Sequence, residues 1–135
     1  NYFEQIRDVE RDQSMTAKSK QAFNEVINKY PESEFTEDAY AKIDIINDRL
    51  AAKEIEIARF YQFNSQWIAA INRYNGILEQ YSTSIYTEES LFRLVEIYFS
   101  LGLYEEAKRY ASTLGHNFPS SDWYKKSYEI VKGLT

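Results

Sequence analysis

Three segments of the chain superpose on one another, and this recurrence limits the fold more than any other feature. Tyr30-Pro31-Glu32-Ser33-Glu34-Phe35 runs on into Thr36-Glu37-Asp38-Ala39. Tyr81-Ser82-Thr83-Ser84-Ile85-Tyr86 runs on into Thr87-Glu88-Glu89-Ser90, and Phe118-Pro119-Ser120-Ser121-Asp122-Trp123 into Tyr124-Lys125-Lys126-Ser127. The shared pattern is aromatic, Pro or Ser, any residue, Ser, any residue, aromatic, then a small residue four later. A proline cannot continue a helix, so it closes the preceding one. The Ser, or a Ser, Thr or Asp just after it, can cap the next. The acids Glu37, Asp38, Glu88 and Glu89 suit the positive end of a helix dipole. The third copy departs from this with Lys125 and Lys126.

Repetition at such a period is the mark of a helical solenoid. Twelve residues before each Pro or Ser stands a small residue, Ser19, Ala70 or Ala107, of a size that lets two helices approach closely. The run Gly102-Leu103-Tyr104-Glu105-Glu106-Ala107 resembles the turn and second-helix start of a tetratricopeptide repeat, and Ser65 precedes Trp67 as Gly102 precedes Tyr104. Pro31 and Ser82 are 51 residues apart, Ser82 and Pro119 only 37. The excess of 14 is close to four turns at about 3.6 residues each, so the insertion is expected to lengthen one helix. The expected fold class is therefore all-α, a right-handed tetratricopeptide-like solenoid with one extended helix.

Periodicity and punctuation place the elements. A helix end at about 2–9 and a polar connection over 10–15 come first. Helices follow at about 16–30, 36–64, 66–81, 87–101, 104–114 (with Gly115 as its C-terminal signal) and 121–132. One domain of about three repeats is expected, over 1–30, 36–81 and 87–117, with a closing helix at 121–134. Along the long helix the apolar stripe runs Ala39, Ile43, Ile46, Leu50, Ile57 and Tyr61 and skips a slot at Lys53 and Glu54. The helix is expected to be solvated there, the alternative being that Glu54 meets a partner charge. The helix over 66–81 buries Trp67, Ala70, Tyr74, Ile77 and Leu78, with Trp67, Ala70 and Tyr74 as its anchors.

The 135 residues carry 16 Lys and Arg against 21 Asp and Glu. An acidic chain is a poor ligand for phosphate, which argues against nucleic acid as the main partner. Residues 32–56 hold eight acids and three bases, so the whole net charge of -5 sits around the long helix. A solvated face is expected, a docking surface for a basic partner being the alternative. There is no cysteine and one histidine, His116, so no triad, thiolate or His-rich metal site is available. Asp44 and Asp48 share a helix face and are read as solvated or salt-bridged. The four glycines stand 13 or more residues apart and make no phosphate cradle. No enzymatic activity, cofactor or metal is expected.

A closer match is carried by Arg11-Asp12-Gln13-Ser14, Ala22-Phe23, Tyr30-Pro31-Glu32-Ser33, Asp48-Arg49-Leu50-Ala51, Ala58-Arg59-Phe60-Tyr61, Trp67-Ile68-Ala69-Ala70-Ile71-Asn72-Arg73 and Leu78-Glu79-Gln80-Tyr81. In order and spacing these resemble the BamD-type outer-membrane assembly lipoproteins, a family of five tetratricopeptide-like repeats. The resemblance covers about residues 1–82, and beyond that it is one of fold. It implies a scaffold at the periplasmic face of the bacterial outer membrane, in the machine that inserts β-barrels. It also implies that the C-terminal repeats dock a POTRA domain of the barrel subunit, with other accessory lipoproteins as further partners. The family's signal peptide, lipidated cysteine and first two repeats are not in this chain, which is expected to be a C-terminal fragment. Membrane attachment would run only through that lipid anchor. The rival function is a generic peptide-binding repeat adaptor. An enzyme on a solenoid, such as a peptidoglycan lyase, would need a further catalytic domain.

The partner surface is expected on the helix over 66–81 and its following turn, through Asn72, Arg73, Glu79, Gln80 and Tyr81, together with Arg49 of the long helix. Arg73 is placed at its centre. It is expected to point outward with no task in its own helix, so that Arg73→Glu would weaken binding and leave folding alone.

Overall fold

The structure is a computed structural model that describes residues 18–31 and 34–134. The expected helix end at 2–9, the connection over 10–15 and the Arg11-Asp12-Gln13-Ser14 motif lie outside the described residues. Six helices and no strand occur among the described residues: α1 over 18–29, α2 Glu34–Phe63, α3 Trp67–Gln80, α4 Thr87–Ser100, α5 Tyr104–Asn117 and α6 Asp122–Val131. The chain is all-α and tetratricopeptide-like, and α2, at 30 residues, is the extended helix that the 14-residue excess implies. It falls into two compact units divided within α2, after Lys53.

The recurring turn has a concrete cause in its threonine. Thr36 Oγ1 donates to the carbonyl of Tyr30. At the matching place Thr87 Oγ1 donates to the carbonyls of Tyr81, at 3.2 Å, and Ser82, at 3.0 Å. Each threonine is buried, and each supplies a donor to the end of the preceding helix, where carbonyls lack helical partners. The third copy has Tyr124 in that place, and there Ser121 caps α6, its hydroxyl accepting from the backbone N–H of Trp123 and Tyr124.

The turns between paired helices repeat as well. Ser65 N–H donates to Gln62 C=O and Gln66 N–H to Tyr61 C=O; thirty-seven residues later Gly102 N–H donates to Phe99 C=O and Leu103 N–H to Tyr98 C=O. Both are Schellman closures, whose residue after the cap adopts the left-handed conformation. Gly102 does so at φ 78°, but Ser65 does so with a side chain, at φ 60°. Ser65→Gly is therefore expected to stabilise the protein by about 0.5–1 kcal/mol, the relieved left-handed strain exceeding the added entropy of the unfolded chain. Urea unfolding followed by tryptophan fluorescence checks this, and a midpoint that fails to rise refutes it.

In the second unit Ala70 and Ala107 are fully buried, as their small size requires at a close helix contact. Ser19, the expected equivalent on α1, is instead exposed. Leu91, Phe92 and Leu114 form one core cluster, with Leu78, Trp123, Tyr124 and Ile130 packed on it. Val95, Ala107 and Ala111 form another, beside the stacked rings of Tyr98 and Tyr110. Gly115 does not terminate α5, which runs on to Asn117. A methyl group at Gly115 would stand 2.7 Å from Tyr124 Cζ, so the glycine serves the close approach of α5 and α6. The skipped slot on α2 is a further correction, for burial continues through Ala51, Ile55 and Ala58, all at most 1 % exposed.

Candidate functional site

The helix expected to meet a partner is amphipathic. Ala70, Tyr74 and Ile77 of α3 are completely buried, at helical steps of four and three. On the other side Ile68 is 77 % exposed, and Asn72, Glu79 and Gln80 are exposed too. Trp67 differs from expectation. It is only half-buried and lines an open hollow of about 590 Å³ with Gln66, Ile68 and Asn72, so its indole is no full core anchor.

Arg73 also differs, for it has a task inside the fold. Its Nη1 donates to both carboxylate oxygens of Glu54 at 3.1 Å, and the side chains of Arg73 and Glu54 are 26 % and 15 % exposed. Glu54 is thus the partner-charge alternative at the skipped slot. Tyr81 belongs to the same corner: burial, and then the negative charge of Glu54, push its hydroxyl pKa up. Its carbonyl holds Thr87, so its backbone is committed to the turn. Arg49 lies exposed on the first-unit stretch of α2.

Gly76 stands in the middle of four of the expected contact residues. Asn72 and Arg73 precede it by four and three positions, and Glu79 and Gln80 follow by three and four. Those are the positions that flank a residue on a helix surface. A glycine within a helix costs about 1 kcal/mol relative to alanine. Gly102 has its left-handed φ and Gly115 its contact with Tyr124 in return, whereas Gly76 has neither, and a methyl group built on it meets nothing within 4 Å. The surface of α3 is therefore notched at Gly76.

Sequence reasoning missed the main polar network of the second unit. Glu89, 5 % exposed, accepts from Arg59 Nε at 2.9 Å, from Arg59 Nη2, and from Arg93 Nε at 3.2 Å. Arg93 Nη1 reaches Glu96 at 2.9 Å, Gln62 donates to Glu96 at 3.2 Å, and the buried Tyr74 hydroxyl donates to Gln62 at 2.8 Å. Burial alone would raise the Glu89 pKa, but the hydrogen bonds and charges of the two guanidinium groups outweigh it and hold the carboxyl below its ordinary value. Arg93 also lies over the Phe92 and Trp123 rings, 5.6 and 5.7 Å from their centroids. With each charge answered by its opposite, the network ties helices together. The signal available in the sequence was Glu89 itself, one of a pair of acids that also suits a helix N-terminus.

In the first unit an apolar hollow of about 330 Å³ is lined by Phe23, Val26, Tyr30 and Phe35, with Lys42 at its edge 2.9 Å from Asp38. Glu37, Asp38 and Asp44 of the acid-rich stretch are exposed, as a solvated face requires. Among the described residues no three His, Cys, Asp or Glu side chains could hold a metal together, and no helix is long and apolar enough to cross a membrane.

Comparison with known proteins adds to this geometry. The model of the YfiO family, described as outer membrane lipoprotein, matches residues 1–114. A Caulobacter vibrioides protein named outer membrane protein assembly factor BamD is 48 % identical over 130 residues, 96 % of this chain and 43 % of that protein. A Rickettsia prowazekii protein of the same name is 46 % identical over 132 residues, 98 % of this chain and 53 % of that protein. One from Haemophilus influenzae is 34 % identical over 106 residues, 76 % of this chain and 40 % of that protein. The chain spans about half the length of these curated relatives.

Proposed function

Because the chain belongs to the YfiO family of outer membrane lipoproteins, we propose that it is a non-catalytic scaffold of the outer-membrane β-barrel assembly machine, binding the POTRA region of the barrel subunit through α3 and its following turn. The observation that carries this reading is the 48 % identity, over nearly the whole chain, with a protein named as an assembly factor. The amphipathic α3, with polar residues gathered around an open notch, supports the choice of face. In this reading the protein works at the periplasmic face of the outer membrane. In the same reading, membrane attachment runs through a lipid anchor, in keeping with the family's description as outer membrane lipoprotein.

The contact residues of the proposal are Asn72, Arg73, Glu79, Gln80 and Tyr81, with Arg49 on the first unit. Arg73 is their charged centre. The Arg73–Glu54 pair changes the way it is tested: Arg73→Glu would set two carboxylates together in a half-buried corner and would disturb folding along with binding. Arg73→Lys keeps the charge opposite Glu54 and removes the planar fork that grips a carboxylate with two hydrogen bonds. It is expected to weaken affinity for the POTRA region about tenfold, or 1.4 kcal/mol, by calorimetric titration, with the thermal midpoint unchanged. Equal affinity removes Arg73 from the surface. A wild-type chain that does not bind the POTRA region leaves the generic peptide adaptor as the better reading.

A further inference from the structure

We infer that Gly76 is the point at which a protein partner comes closest to the backbone of α3, with Asn72, Arg73, Glu79 and Gln80 as the rim of a notch that receives one bulky side chain of that partner. For the identity of the partner, the POTRA region, the inference rests on the scaffold reading above. The fold itself makes no use of this glycine. The residue lies within α3, its φ is not left-handed, and apart from its chain neighbours and the backbone of its own helix no heavy atom stands within 4 Å of where a Cβ would be. An alanine would fit and would hold the helix better. A partly buried residue that weakens its own helix, and whose missing side chain leaves room that no other helix fills, is accounted for by a neighbour outside the molecule, one that a side chain at position 76 would push away.

The rim narrows the chemistry of that neighbour. It offers two amides, a guanidinium and a carboxylate, so it can meet a polypeptide's mixture of donors, acceptors and charges. It offers no cationic stripe for a phosphate backbone, and the chain as a whole is acidic, at -5. The floor is the partly buried backbone at Gly76, and Ile68, exposed two turns before it, extends the same face in apolar character. The segment that fits is one that lays a bulky side chain over Gly76 and carries a carboxylate on its Arg73 side. A side chain entering a hole bounded by four residues of a helix is the way that packed helices interlock, used here between proteins.

The test separates fold from contact because the two should move in opposite directions. Gly76→Ala and Gly76→Leu are made in the whole chain, and thermal unfolding and affinity for the POTRA region are measured for each. Gly76→Ala is expected to raise the thermal midpoint by a few degrees while weakening affinity about fivefold. Gly76→Leu, which fills the notch, is expected to weaken affinity by more than about tenfold with no loss of thermal stability. A merely structural glycine cannot give a more stable protein that binds less well. Undiminished affinity in Gly76→Leu overturns the inference, and so does a lowered midpoint in Gly76→Ala. If Arg73→Lys weakens binding and Gly76→Leu does not, the notch is wrong and the scaffold reading stands. If the wild-type chain fails to bind the POTRA region, the scaffold reading fails and takes this occupant with it.

Discussion

Glu89→Ala is expected to lower the stability of the second unit by about 3 kcal/mol, because it leaves two guanidinium groups facing each other without their shared carboxylate. The Glu89 side chain is 7 % exposed, and those of Arg59 and Arg93 are 35 % and 20 % exposed. Partial solvation of the two arginines sets the effect at the lower end of what breaking a buried ion pair costs. The pH dependence has a definite sign. The folded carboxyl is held below its ordinary value of 4.5, so its contribution is fully present above that pH and is lost as pH falls through the folded value. Wild type and variant should therefore differ in urea midpoint at pH 7 and converge in acid. Equal midpoints at pH 7, or a gap that persists unchanged well below pH 4, would count against the network as a source of stability.

Leu114→Ala should have an effect of similar size, about 3 kcal/mol. Leu114 is completely buried, on α5, in the cluster with Leu91 and Phe92 of α4, where Leu78 of α3 and Trp123, Tyr124 and Ile130 of α6 also pack. Its side chain thus sits where four helices meet, and its removal leaves a cavity rather than a solvated surface. The backbone beside it cannot easily close the gap, since Gly115 is already in contact with the Tyr124 ring. Trp123, 5.3 Å from Phe92 between ring centroids, reports the change directly through its fluorescence. A urea midpoint shift corresponding to less than about 1 kcal/mol would mean that the site collapses around the smaller residue.

Much of the candidate surface was legible in the sequence, but its electrostatics were not. That α3 would bury Ala70, Tyr74 and Ile77 and leave Asn72, Glu79 and Gln80 outside follows from a 3.6-residue period alone. Arg73 falls at the border of those two faces, and there the sequence leaves its direction open. Glu54 and Arg73 stand 19 positions apart with a Schellman turn between them, and only once that turn sets α3 beside α2 does the pair form. Trp67 fails for a related reason. Its place at the first position of α3 puts it at the edge of the helix contact, where the open hollow reaches its ring.

The sequence by itself determined the all-α class, the long uninterrupted α2, the helix boundaries to within a few residues and the turns that recur along the chain. These depend on forces that act within one or two turns of backbone: proline's missing N–H, a threonine or serine hydroxyl at a helix end, a left-handed residue after the cap, and apolar residues at a helical period. Tertiary structure alone decided that Gly115 serves a helix contact rather than a helix end, that Glu89 binds Arg59 thirty residues away, and that Glu54 binds Arg73. Each of these pairs two residues whose separation along the chain says nothing of their separation in space. A charge on a helix looks the same in sequence whether it faces water or a guanidinium on the next helix. Burial is what makes the difference, because only out of water does a carboxylate require a specific partner.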